Sequence, residues 1–203
     1  MSGRRQRPTS SRTAAPTTTS LAVVSLVLVT VLLTVDSALG RGHFDVRSAG
    51  SRLAQGVYVV TARLDYRLSD EALEALDSGL TLTIQLQIEL VRQRRFRPDS
   101  LIATLTQDYQ LSYQPLSERY LVRNLNSGEQ KSHATLFSAL NDMGRIVELP
   151  VIDAALLDPE GRYWIRLRAV LDQNTLPGPL RLLAFWSEGF RLESDWYRWT
   201  LRE

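Results

Sequence analysis

The segment LTLTIQLQIEL, residues 80–90, alternates six apolar side chains (Leu80, Leu82, Ile84, Leu86, Ile88, Leu90) with five polar ones (Thr81, Thr83, Gln85, Gln87, Glu89). A period of two is the repeat of a β-strand, because successive side chains leave the backbone on opposite faces. One face is therefore greasy and the other wet, as in an antiparallel sheet with one side on a core. Strands of a parallel sheet, covered on both sides, read instead as unbroken apolar runs. At roughly 3.3 Å per residue the segment spans about 40 Å, long for a globular protein.

The same alternation recurs on either side. Tyr58, Val60, Ala62, Leu64, Tyr66 and Leu68 alternate with Thr61, Arg63, Asp65 and Arg67, and Tyr163, Ile165, Leu167, Ala169 and Leu171 repeat the pattern later. Shorter candidate strands are Phe44 to Ala54, Ser100 to Thr106, Tyr109 to Tyr113, Arg119 to Leu125, Arg145 to Ile152 and Phe190 to Leu201. They are separated by turn chemistry at Pro115, Asn126-Ser127-Gly128, Asp158-Pro159-Glu160-Gly161 and Pro177-Gly178-Pro179. Two short helices interrupt the strands. The first runs from Asp70 to Asp77 behind Ser69 as N-cap, with Leu73 and Leu76 inward and Gly79 after its end. The second begins near Ser132 and His133 and presents Leu136, Phe137, Leu140 and Met143 before Gly144. No internal repeat of fixed period is present, which argues against a propeller or solenoid. The expectation is a mainly β fold: an antiparallel β-sandwich of immunoglobulin-like type, about eight strands with two short connecting helices. A closed eight-stranded barrel is the alternative, since alternation is common to both.

The chain has 203 residues, of which 44% are hydrophobic, 23% charged and 8% aromatic, the balance of one folded domain. Without cysteine it has no disulfide framework, thiolate metal cluster or cysteine nucleophile, and its two histidines make no histidine-rich metal site. No cofactor or metal is implied. Four of the 24 basic residues (Arg4, Arg5, Arg7, Arg12) and one of the 22 acids (Asp36) precede Arg41, leaving 20 basic and 21 acidic residues in the body. The pI of about 9.1 thus belongs to the amino-terminal leader, and the near-neutral body gives no reason to expect nucleic-acid binding.

Residues 1–20 are polar, basic and rich in Ser, Thr and Pro, a disordered cytoplasmic tail, and Leu21 to Val35 then runs LAVVSLVLVTVLLTV without a charge. Arginines that resist crossing a bilayer, ahead of an apolar run that prefers lipid, orient a chain with its amino terminus in the cytoplasm. Two fates fit. Ala38-Leu39-Gly40 offers small residues for signal-peptide cleavage after Gly40, giving a soluble periplasmic product; alternatively Leu21 to Leu39 is a membrane anchor, about 28 Å as a helix against a hydrocarbon core of roughly 30 Å. In the second case the protein is a single-pass inner-membrane protein with its carboxyl-terminal domain in the periplasm. The organisation is then tail 1–20, signal peptide or transmembrane anchor 21–39, and exported β-sandwich domain 41–203.

Candidate contact residues fall into two groups. Arg92, Arg94, Arg95 and Arg97 surround Phe96 directly after the long strand, as a patch for anionic headgroups or polyanions or simply as a solvated loop. Trp186, Phe190, Trp196, Tyr197 and Trp199 gather near the carboxyl end, with Trp164 upstream, as a groove for carbohydrate or peptide or as core. In SDWYRW, positions 196 and 198 share one strand face and 197 and 199 the other, so Trp196 and Trp199 cannot form one flat platform in a regular strand. Asp153, Asp158 and Glu160 are the carboxylates on which a hydrolase would have to be built, but turn acids commonly serve backbone hydrogen bonds. No G-x-S-x-G, Walker or zinc-ligand spacing occurs.

The basic tail and apolar leader, then LTLTIQLQIELVRQRRFRPD (80–99) and LPGPLRLLAFWSEGFRLESDWYRWTL (176–201), resemble an uncharacterised family of proteobacterial envelope proteins catalogued as a domain of unknown function, DUF family 4390. The likeness runs from about Phe44 to Leu201. It carries no assigned functional residues. The resemblance implies an accessory role in envelope signalling, beside a sensor histidine kinase, and an envelope or membrane protein as partner. From the residues themselves the expectation is a non-enzymatic binding module; a carrier of a small lipid or glycan near the tryptophans is the alternative, and a carboxylate hydrolase the second.

Overall fold

A computed structural model of the chain describes Gly40, residues 42–176, Gly178 and residues 188–201. The expected tail and leader, and Trp186, lie outside the described residues. Among the described residues no helix is long and apolar enough to cross a membrane. The fold is mainly β, with every strand pairing antiparallel and two short helices between strands, as the alternation leads one to expect. In chain order the elements are β1 (His43–Ala54), β2 (Val57–Arg67), α1 (Asp70–Asp77), β3 (Leu82–Gln93), β4 (Ser100–Gln114), β5 (Arg119–Asn124), β6 (Gln130–His133), α2 (Leu136–Met143), β7 (Arg145–Asp153), β8 (Arg162–Leu171) and β9 (Tyr197–Thr200). They form a three-stranded sheet of order β1-β2-β7 and a six-stranded sheet of order β6-β5-β4-β3-β8-β9.

The long alternating segment becomes β3, the strand flanked by β4 and β8. Leu82, Ile84, Leu86, Ile88 and Leu90 are wholly buried, as are Ile165, Leu167 and Ala169 beside them on β8. From the smaller sheet Phe44, Val60, Leu64 and Tyr66 join the same core, so the apolar faces of both sheets close on one hydrophobic cluster. Each fully buried Leu or Ile there contributes about 1.5–3 kcal/mol relative to exposure. A polar tie also crosses between the sheets: Trp199 Nε1 of β9 donates to Ser51 Oγ of β1 at 3.0 Å.

The helices close the end at which β1 begins. Ser69 caps α1, its hydroxyl accepting from Ala72 N–H at 3.2 Å and donating to the Gly189 carbonyl at 2.6 Å, and Gly79 follows at φ +85°, a conformation glycine tolerates best. Thr135 caps α2 by accepting from Ser138 N–H at 3.1 Å. At the other end of α2 the Gly144 carbonyl accepts from Leu64 N–H of β2 at 2.8 Å. A Cβ on Gly144 would lie 2.1 Å from the Leu64 carbonyl oxygen, so glycine is what lets helix and strand approach.

Four expectations are corrected. Ser100 to Thr106 and Tyr109 to Tyr113 are one strand, β4, because Gln107 and Asp108 continue its pairing with β3. The strand β6 is not foreshadowed: QKSH is short and polar with no alternation, and its order comes from pairing with β5 and from Lys131, whose Nζ reaches Asp142 of α2 at 3.5 Å. That pairing occupies residues 130–133, so His133 ends a strand and α2 starts at Leu136, later than Ser132. The buried stripe of α2 is then Ala139 and Met143, with Leu136 and Leu140 packed beside it and Phe137 80% exposed. Finally, Phe190 to Leu201 is a strand only from Tyr197 to Thr200. Residues 191–195 keep the alternation, Leu192 and Ser194 being buried, but they attach to β8 by single contacts such as Leu171 N–H to Leu192 O (2.8 Å) and Ala169 N–H to Ser194 Oγ (3.0 Å).

Candidate functional site

On the outward face of the six-stranded sheet, β8 presents Trp164, Arg166 and Arg168 at spacing two, while β3 presents Gln85, Gln87 and Glu89. Register places Glu89 opposite Arg166 and Gln87 opposite Arg168 on one side, and Arg198 of β9 opposite Arg166 on the other. Two arginines facing each other across a ladder repel. Two arrangements offset this. Arg166 Nε donates to Glu89 Oε2 at 2.6 Å, and the tryptophans insert between the guanidinium groups.

The resulting stack runs Arg198, Trp164, Arg166, Trp196, Arg168. The Arg198 guanidinium carbon lies 5.0 Å from the Trp164 ring centre, Arg166 lies 5.8 Å from Trp164 and 4.4 Å from Trp196, and Arg168 lies 4.6 Å from Trp196. Each contact is attractive because the ring's negative face meets a cation, by about 0.5–1 kcal/mol on an exposed surface. Arg168 is held further by Gln87, Nε to Oε1 at 2.8 Å, and reaches Glu193 at 3.5 Å. A line of polar side chains continues across β3 to β4, with Gln85 Nε2 donating to Asp108 Oδ1 at 3.0 Å. Stacking orders the arginines; Arg166 also pairs with Glu89 and Arg168 with Glu193, while Arg198 is exposed and has no acidic partner among the described residues. The face is thus a prearranged row of cationic hydrogen-bond donors, suited to carboxylates or other anions.

The candidate tryptophans divide as the parity of SDWYRW requires. Trp196 lies outward in the stack, whereas Trp199 turns inward, packs against the core and donates to Ser51. Trp164 is half-buried in the stack, its Nε1–H donating to Asp99 Oδ2 at 3.2 Å. The four candidate arginines do not converge. Arg92 is on the core-facing side at the end of β3, over the Tyr163 ring and paired with Asp158. Arg94, Arg95 and Arg97 are exposed in the loop between β3 and β4.

Arg166, Arg168, Arg198 and Glu89 were not singled out from the sequence, although WIRLR at 164–168 carries the signal: tryptophan and two arginines on one face of an amphipathic strand. What linear order does not show is that β9 brings Trp196 and Arg198 alongside.

Two of the three candidate carboxylates serve turns. Asp153 Oδ1 accepts from Ala155 N–H at 2.8 Å and Asp158 Oδ1 from Glu160 N–H at 3.0 Å. A separate cleft of about 560 Å³ opens beside β4, β5 and β7, lined by Tyr109, Asn124, Lys131, Asp142 and Arg145 among others, with no tryptophan among the described residues of its wall. Burial raises the Tyr109 pKa against the lowering effect of its hydrogen bond with Asn124. Burial lowers that of Lys131, but Asp142 and Glu129 outweigh it and the net shift is upward.

Comparison with curated proteins and with solved structures finds no match. Residues 42–200 match the family described as Domain of unknown function (DUF4390), and the chain belongs to that family.

Proposed function

We propose that this chain is a non-enzymatic binding module of the periplasm, an immunoglobulin-like sandwich that docks an acidic protein partner of the envelope on the outward face of β3, β8 and β9. The observation that carries the reading is the arginine and tryptophan stack: five interleaved side chains held in order at a solvent-facing surface by Glu89, Gln87 and each other. Ordering long cationic side chains before contact lowers the entropy lost on binding, and tryptophan with arginine is the composition that dominates interface energetics. Strand order supports the immunoglobulin-like assignment. With β1, β2 and β7 as strands A, B and E, and β3, β8 and β9 as C, F and G, the pairings of B with E, C with F and F with G match that type, and β4 to β6 extend the sheet beyond C. Export rests on the leader at 21–39, with membrane anchoring or release decided by its cleavage, and the role in envelope signalling rests on the family resemblance.

The test is site-directed photocrosslinking in cells. A crosslinker at Thr200, beside Trp164 on this face, is expected to trap a discrete envelope protein, and Trp196→Ala should abolish the adduct. A crosslinker at Arg63, outward on the smaller sheet, should trap none. Equal trapping at both positions, or adducts indifferent to Trp196→Ala, would overturn the assignment. Sequencing the amino terminus of the fractionated protein decides its tether: Arg41 first means a released product, Met1 or Ser2 an anchored one.

A further inference from the structure

We propose a second contact surface, distinct from the stack: the loop between β3 and β4, residues 94–99, docks on an anionic lipid bilayer with Phe96 entering the interface. Phe96 is 90% exposed at the apex of this hairpin, and Leu101 (55%) and Ile102 (42%) are exposed on the adjoining part of β4, which β5 does not pair. An exposed ring alone carries little weight, since Phe137 and Leu116 are exposed too; what sets Phe96 apart is the charge around it. Around it stand Arg94, Arg95 and Arg97, all exposed, with Arg95 stacked over the Phe96 ring at 5.6 Å. Among the described residues none of the three has an ion-pair partner.

The loop's single acid does not neutralise them. Asp99 turns back toward the sheet, where Oδ1 accepts from Arg94 N–H at 3.2 Å and Oδ2 from Trp164 Nε1–H at 3.2 Å. The first bond closes the base of the loop on itself and the second fastens it to β8, and neither engages a guanidinium group. Apolar side chains at an apex flanked by arginines complement the interface of an anionic bilayer, where a ring sits at headgroup depth and guanidinium groups meet phosphates. Three guanidinium groups without ion-pair partners among the described residues, beside one ring 90% exposed, match an anionic bilayer, which takes a ring at headgroup depth without a shaped pocket.

The absence of cysteine permits a clean probe. The full chain carrying Ser100→Cys or Leu116→Cys is labelled with an environment-sensitive dye and titrated with vesicles of phosphatidylcholine alone or mixed with phosphatidylglycerol. Leu116, fully exposed on the β4–β5 turn, is at the far end of β4 and reports contact that does not involve the tip. The apolar leader is common to both vesicle types, so it does not separate them. A blue shift at position 100 is expected with phosphatidylglycerol, weakened by salt, absent at position 116 and lost in Phe96→Ser. Replacing Arg94, Arg95 and Arg97 together by Gln should raise the anionic lipid needed for half the shift about 100-fold. No shift with phosphatidylglycerol, an equal shift with neutral vesicles, or an equal response to soluble polyglutamate would overturn the proposal. None of these outcomes touches the stack, whose variants are read by crosslinking.

Discussion

At the scale of single residues, Tyr66 and Trp196 are aromatic rings in opposite surroundings, one in the core and one in the outward stack. The Tyr66 hydroxyl is buried with no hydrogen-bond partner among the described residues, while its ring meets Phe44 edge-on at 5.0 Å. Burial, with a smaller contribution from Tyr109, pushes its pKa up from the ordinary 10.0. A pKa raised in the folded state means the protonated form is favoured there, so the contribution to stability is intact below about pH 10 and lost as pH climbs past the unfolded value. Tyr66→Phe should therefore flatten the alkaline fall in stability, measured by urea unfolding across pH. At neutral pH it should also stabilise by about 1 kcal/mol, since it removes a buried unsatisfied hydroxyl. Trp196→Ala deletes two cation contacts and should cost about 1–2 kcal/mol in the same assay, with Trp196→Phe recovering a good part.

At the scale of elements, α2 is attached by its carboxyl end more than by its cap. Loss of Thr135 removes one bond to Ser138 N–H, and Thr135→Ala should cost about 1 kcal/mol. Gly144→Ala is a different kind of change. Its methyl group would stand 2.1 Å from the Leu64 carbonyl oxygen, backbone that cannot swing aside, so α2 must separate from β2 and break the Leu64 N–H to Gly144 O bond. The expected cost exceeds that of the cap variant and reaches about 3 kcal/mol, with hydrogen exchange accelerating first at Leu64. At the edge, β7 carries Pro150, and its pairing with β2 shifts register twice, features that blunt the free side of the smaller sheet against pairing with another chain.

At the scale of the whole molecule, one core serves both sheets, so damage on either side is felt by all. Leu86 lies at the middle of β3, wholly buried between β4 and β8. Leu86→Ala should cost about 2–5 kcal/mol and lower the stability of both sheets together, with tryptophan fluorescence and far-ultraviolet circular dichroism following one transition. Separate transitions for the two signals would show that the sheets unfold independently.

Composition and period two were enough to establish a mainly β, antiparallel fold. Alternation over 58–68, 80–90 and 163–171 is dictated by which face must leave water, and that is a local property of the chain. The caps of α1 were equally legible, because Ser69 and Gly79 act within one helical turn of themselves. Tertiary structure alone decided which strands are neighbours and hence what their wet faces assemble. Strand β6 has order because β5 lies beside it. Trp196 and Arg198 join Trp164, Arg166 and Arg168 because β9 pairs with β8 across the 25 residues 172–196. A side chain's face follows from its own strand, but its partners follow from a register that long-range burial selects.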